Sequence, residues 1–385
     1  SQWPNRKAIT IDRTKIAGSL TNFPVLIDII DSDLASKAQT DGDDIVFVEE
    51  STNTKLNHEI EYYDPRTGHL IAWVNLPSLS PAADKVLYMY YGNPSAANQQ
   101  NPTAVWDTNY KMVQHLNETS GTHYDSTLNG NNGSPFGGVT QGVTGKIGGA
   151  DTFDGNNDYI EVPHESSLTG FTTAFTASFW IKIDDTTRRQ AILNKYDSTG
   201  NQRAWFIEYR PYGTETRFPS FFASADGSNY RDWYASFTPA ADEWYYVTVV
   251  WQSNTLPRFY INGQQVTTMN TGTISQIYNN NAPLHIARCT FDATRYLKGS
   301  LDEIRIINTA QSANWIQTSY NNQQNPSTFI SLGLEETYTG APTISNEKPQ
   351  DGATNVYTNP ELSISVTDND LLTITFETDA TGTWQ

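Results

Sequence analysis

A single cysteine, Cys289, in 385 residues excludes any disulfide within the chain. Stability must then come from buried apolar surface, helped in a disulfide-free extracellular protein by bound metal. No run of about 18 apolar residues occurs, so no segment reads as a membrane-spanning helix. Basic runs are missing too, and the net charge is −18. Nucleic acid is thereby excluded as a partner, because neutralising phosphates requires a face rich in Lys and Arg. The usual catalytic signatures are absent: there is no HExxH, no GxSxG and no phosphate loop. The stretch Gly142 to Lys146 (GVTGK) has neither the spacing nor the hydroxyl residue of such a loop. Cys289 reads as a buried strand thiol rather than a nucleophile, and the chain reads as non-enzymatic. No signal peptide precedes Ser1, which suggests a mature start or a piece of something longer.

What is present points to β structure. Aromatics reach 12% and charged residues only 17%, with abundant Asn, Thr, Ser and Gly. From Arg6 to Asn93 short alternating runs such as RKAITID, FPVLIDI, LIAWVNL and KVLYMYYG are punctuated by Gly and Pro, the pattern of a small antiparallel sandwich. Beyond Gly148 a second series follows, with spacings that fit a larger sandwich of about a dozen strands. In FYINGQQV, Asn262-Gly263 supplies the positive φ angles of a type I′ hairpin turn. One helix is predicted over Thr309 to Gln323, with Ser312 as N-cap, packing on a sheet edge.

The stretch GGADTFDGNNDYIEVP (Gly148 to Pro163) and the later YLKGSLDEIRI (Tyr296 to Ile306) resemble the laminin-G-like, concanavalin-A-like jelly roll. The run ending KVLYMYYGNPSA (Lys85 to Ala96) resembles an uncharacterised prokaryotic domain that precedes laminin-G-like domains in large surface proteins. After Thr337 the sequence is similar to the first strands of an immunoglobulin-like repeat. The resulting expectation is an all-β, multidomain chain: an N-terminal β-sandwich over 1–97, a jelly roll over 104–337 ending in the strand FISLGLEE, and an incomplete immunoglobulin-like domain over 341–385 that could self-associate through its open edge.

Acidic loops between strands offer the oxygen ligands that calcium takes. The resemblance implies Asp154 and Asp302, with Glu303 beside them, as ligands of a structural calcium; Asp368 and Asp370 form a fainter site. Glycan binding needs exposed aromatic faces with polar groups nearby. Tyr212, Tyr230, Arg231, Trp233 and Tyr234 lie near loops and are the ligand-binding candidates. In RAWFIEYRPYG the alternation separates Trp205, Ile207 and Tyr209 from Phe206, Glu208 and Arg210, one set for the core and one for the outside. Glu59 and Glu61 fall on one strand face, as glycosidase carboxylates do, but in the first domain, and read as a solvated face. The resemblance therefore implies an extracellular, cell-surface binding module of adhesin type, with a glycan or surface partner. The alternatives are a structural subunit of a filament, sheath or surface layer, and an accessory region of a longer glycoside-processing enzyme.

Overall fold

The computed structural model describes residues 3–337 and the backbone of 343–348 and 363–367. Four sheets lie in layers. The outermost is five-stranded, in the order Ile330–Thr337, Asn5–Ile11, Lys85–Tyr91, Val46–Glu49, Thr54–Lys55. Asn5–Ile11 is buried at every second residue, as alternation requires when one face is covered. The second sheet is three-stranded, in the order Leu20–Ile30, His69–Leu79, His58–Asp64. Between them Ile9, Val25, Ile27, Phe47, Val74, Leu87 and Met89 form the sandwich core.

His58 is fully buried in this core, its ring edge-on to Phe47 at 5.2 Å, and neither ring nitrogen has a hydrogen-bond partner. Burial, with Lys55 adding to it, depresses its pKa to about 4. The folded state thus binds fewer protons than the unfolded chain between that value and 6.5, and stability is lost as pH falls through this window. By pH 5 the loss relative to pH 7 is about 2 kcal/mol from this group alone. Urea midpoints at the two pH values should show a smaller drop for His58→Phe than for the wild type.

The jelly roll contributes the other two layers. Its back sheet runs Thr140–Thr144, Gly149–Asp154, Lys298–Ile307, Ala174–Ile183, Trp244–Gln252, Arg258–Ile261, Gln264–Val266, with Tyr110–Gln114 also on Lys298–Ile307. Its front sheet runs Thr268–Met269, Arg231–Ser236, Glu215–Ala223, Gln202–Tyr212, Gln190–Asp197, Leu284–Ile286, Tyr159–Val162, Ser134–Phe136. Trp205, Ile207, Tyr209, Phe221, Trp233 and Trp251 fill the space between the two sheets. The expected hairpin turn is there, with Asn262 at φ 50° and Gly263 at φ 77°.

The back sheet packs on the three-stranded sheet of the sandwich. Leu26, Ile71 and Trp73 meet Trp106, Tyr110, Val113 and Ile307, a second apolar layer that joins the two sandwiches. The helix, Ala313–Gln324, starts as expected, with Ser312 Oγ accepting from the Trp315 N–H. It does not sit at a sheet edge alone but bridges both units. Trp315 packs edge-on against Phe23 of the sandwich at 4.9 Å, while Ile316 joins Trp180, Tyr246 and Tyr260 of the back sheet. The Asn322 amide accepts from the Leu26 N–H at 2.7 Å and donates to its carbonyl at 3.0 Å, satisfying the open edge of Leu20–Ile30.

The strand that follows the helix departs from the sequence reading. Ile330–Thr337 pairs with Asn5–Ile11 in the sandwich rather than with a jelly-roll strand, and Phe329 and Ile330 enter the sandwich core. The turn Pro326–Phe329 buries Phe329 in the sandwich core, and the Asp12 N–H donates to the Phe329 carbonyl at 3.0 Å, which sets the following strand against Asn5–Ile11. Beyond it, Thr343–Lys348 and Ser363–Thr367 pair antiparallel. The rest of the 341–385 reading, its self-association edge, and Asp368 and Asp370 lie outside the described residues. Among the described residues no helix is long and apolar enough to cross a membrane.

Candidate functional site

Two features carry polar groups in unusual surroundings: the outer face of the front sheet and the junction between the two sandwiches. On the front sheet the alternation read from RAWFIEYRPYG holds. Trp205, Ile207 and Tyr209 point into the core, while Phe206 packs outward with Ala191, Tyr196, Phe222 and Cys289. Cys289 is buried and free, and burial pushes its thiol up to about 11, so it stays protonated.

Glu208 is fully buried at the centre of this face. Arg189 Nε donates to Glu208 Oε2 at 2.7 Å and its NH2 grips Oε1, while Arg295 at 3.7 Å and Arg210 at 3.9 Å flank the same carboxylate. Beyond it the arginines stack on rings. Arg217 lies 4.5 Å from the Tyr212 ring centre and 4.3 Å from that of Tyr234, and Arg210 lies 5.5 Å from Phe222.

The five candidate ligand residues separate clearly. Tyr212 and Tyr230 are 63% and 53% exposed. Arg231 is exposed beside Gly272. Tyr234 is buried beneath Arg217. Trp233 is not available to a ligand: it is fully buried, stacks on Phe221 at 5.9 Å, and donates its indole N–H to the Gly272 carbonyl at 2.9 Å. It alternates with two outward neighbours, and proximity to a loop in sequence did not reveal that it faces inward. Tyr212 follows Trp205 by seven positions, and Trp205 pairs across Ala223 with Arg231, next to Tyr230. Tyr230 lies 5.7 Å from the Phe222 ring, Phe222 lies 5.5 Å from the Arg210 guanidinium, and that guanidinium lies 5.8 Å from Tyr212, so the two exposed rings stand no more than about 17 Å apart along one face.

The predicted metal residues also separate. Asp154 makes a local turn, with Oδ1 accepting from the Asn156 N–H at 2.7 Å and Oδ2 from the Asn156 side chain at 2.9 Å. It stands opposite Lys298, four residues from Asp302 on the same strand, or roughly 13 Å. Asp154 and Asp302 are therefore not brought together around one ion.

Asp302 and Glu303 instead face the sandwich. A β-bulge places two residues, Glu303 and Ile304, opposite Phe179, and Glu303 takes φ 55°. Regular alternation would send consecutive residues to opposite faces; the bulge sends both carboxylates outward while Leu301 and Ile304 stay in the core. The neighbouring strand changes at the same place, from Gly149–Asp154 to Tyr110–Gln114. Across the junction stand Glu59 and Glu61. Their alternation is as read, but their face is covered by the jelly roll and is not solvated.

The result is a dry cluster boxed by two indoles. Glu59 accepts from the Trp106 indole at 2.8 Å and from Ser126 at 2.5 Å; Glu61 Oε2 accepts from the Trp73 indole at 2.8 Å. His115 Nδ1 lies 2.6 Å from Glu303 Oε1 and 3.6 Å from Glu61 Oε2, and its Nε2 lies 3.4 Å from Glu59. Arg305 donates to Glu303 Oε2 at 2.6 Å with its guanidinium 4.3 Å from the Trp73 ring centre. Asp302 Oδ2 accepts from the Lys146 and Ile147 N–H groups, both at 2.8 Å. Gly148, at φ 50°, closes over the cluster where a Cβ would come within 2.7 Å of Glu61 Oε1.

Burial opposes ionisation throughout, and partners decide the outcome. It pushes Glu61 up to about 8, reinforced by the charge of Glu303. It holds Asp302 well above the usual carboxylate range as well. For Glu303 burial is outweighed by His115 and Arg305, which lower it, and His115 is in turn raised well above its ordinary value by Glu303 and Glu59 despite burial. His115 escaped the sequence reading because KMVQHLNE reads simply as a strand. The available signal was the i, i+2 acidic pair at Glu59 and Glu61.

Comparison with known proteins follows these divisions. Residues 154–317 match the model of the concanavalin A-like lectin/glucanases superfamily, and residues 41–131 match a domain of unknown function (DUF2341). No curated protein matches the sequence. Among solved structures, the binding domain of Paraclostridial mosquitocidal protein 1 aligns at 17% identity and TM-score 0.45, covering 55% of this chain and 52% of its own. Domain 4 of AbnA, an extracellular arabinanase from Geobacillus stearothermophilus solved with arabinotriose, aligns at 18% identity and TM-score 0.43, covering 55% of this chain and 98% of its own. The receptor-binding domain of botulinum neurotoxin C/D mosaic serotype aligns at 15% identity and TM-score 0.44, covering 56% and 51%. The alignment thus spans about half the length of the toxin domains. Glu59, Glu61 and His115 lie in the first matched segment and Asp302 and Glu303 in the second, so the junction cluster is assembled from both. Residues 154–317 form a laminin-G-like jelly roll of the concanavalin-A-like superfamily, and the segment before them, 41–131, carries the domain of unknown function.

Proposed function

We propose that this chain is a non-catalytic carbohydrate-binding module of a larger extracellular, cell-surface protein, and that an extended glycan lies along the outer face of the front sheet. The observation that carries the reading is the pair of exposed rings, Tyr212 and Tyr230, standing on one sheet face no more than about 17 Å apart. Sugar C–H faces stack on such rings, and the separation suits an oligosaccharide rather than one sugar. Between the rings, Arg210, Arg217 and Asp232 offer donors and acceptors for hydroxyl groups. Glu208 is engaged by three arginines. Its oxygens are committed to Arg189 and flanked by Arg210 and Arg295, so it is not free to act as an acid or nucleophile, and the face is read as one that holds a ligand without cleaving it.

Binding to a glycan array followed by calorimetry on the best ligand tests this directly. The double variant Tyr212→Ala/Tyr230→Ala is expected to weaken binding by about tenfold or more, at roughly 0.5–1.5 kcal/mol per stacked ring. Unchanged affinity in that variant would remove the front sheet from consideration.

A further inference from the structure

We infer that the junction between the two sandwiches is a divalent-metal site in which Glu61, His115 and Glu303 are the ligands. One atom from each of these residues lies within 4.8 Å of the others, and all three residues are buried. Four carboxylates, Glu59, Glu61, Asp302 and Glu303, meet in this dry region with only the His115 imidazole and the Arg305 guanidinium as cationic side chains beside them.

The second observation is an orphaned ligand atom: Glu61 Oε1 is buried without a hydrogen-bond partner. Each ligand is also braced from behind, as metal ligands are. Glu59 stands at the far nitrogen of His115, 3.4 Å away; the Trp73 indole holds Glu61 Oε2, leaving Oε1 free; Arg305 holds Glu303 Oε2, leaving Oε1 facing His115. The bulge at Glu303 is what brings its carboxylate to this place. One imidazole with two carboxylates suits zinc, or another first-row transition ion, better than calcium, which takes oxygen ligands only. The site draws on both sandwiches, so the metal would join the two in one unit.

The buried position means that loading is best done by refolding the full chain with the ion present. After refolding with one equivalent of Co²⁺ and gel filtration, the wild type is expected to retain one ion per chain and to show the visible absorption of a low-symmetry cobalt site. Zinc should compete for it and raise the melting temperature. Glu61→Gln preserves the acceptor for the Trp73 indole and is expected to fold, yet to lose metal affinity by at least tenfold; His115→Gln should do the same. Two results would overturn the inference: a folded wild type that retains neither Co²⁺ nor Zn²⁺ after refolding, or retention that is equal in wild type and Glu61→Gln.

Discussion

Replacing Glu303 by alanine is expected to destabilise the chain by about 3–5 kcal/mol, the usual effect of breaking a buried ion pair from one side. Arg305 and His115 would both lose their closest counter-charge, at 2.6 Å each, in a space closed by Trp73 and Trp106. The bulge itself adds nothing to the difference, since alanine at φ 55° carries a left-handed cost similar to that of glutamate. Urea denaturation followed by tryptophan fluorescence is a suitable measurement, because both indoles report on the junction. Removing Arg305 as well, as Glu303→Leu/Arg305→Met, is expected to recover part of the loss, since the guanidinium no longer stands unpaired while His115 keeps Glu59 at 3.4 Å. A Glu303→Ala effect below about 1 kcal/mol would mean that the cluster is wet or uncharged.

Trp233→Ala is expected to cost about 3–5 kcal/mol as well, by a different route. Its indole fills the jelly-roll core against Phe221, and its N–H is paired with Gly272. Truncation leaves a cavity and an unpaired carbonyl. Any loss of glycan binding in this variant would follow from unfolding. The contrast with Tyr212→Ala is the informative part: that ring is 63% exposed, and its removal should change stability by no more than about 0.5 kcal/mol. Thermal melts of the two variants side by side would separate core from surface.

The sequence made some of this legible and left the rest hidden for reasons of range. Alternation is local, so the two faces of Gln202–Tyr212, the Asn262-Gly263 turn and the Ser312 cap could all be read from neighbouring residues. What covers a face is not local. Glu59 and Glu61 share a face as their spacing demands, but that the face is closed depends on contacts with Trp106, Ser126 and His115, 47 to 67 positions away, and through His115 with Glu303, a further 188 positions along. Ile330–Thr337 is a plain strand by pattern, and its partner, Asn5–Ile11, lies at the other end of the chain. Asp302-Glu303 reads as part of an acidic loop at the entry to a late strand, whereas both lie inside Lys298–Ile307, and a regular strand would not put consecutive carboxylates on one side. Only a bulge does so, and no Gly or Asn at 303 announced it.

The central claim is that a glycan lies along the front sheet, and backbone hydrogen exchange with and without a bound oligosaccharide tests it most directly. The predicted result is slowed exchange in Gln202–Tyr212, Glu215–Ala223 and Arg231–Ser236, with the sandwich over 5–91 unchanged. Slowing confined to the turn after Asp154, or to the N-terminal sandwich, would contradict it.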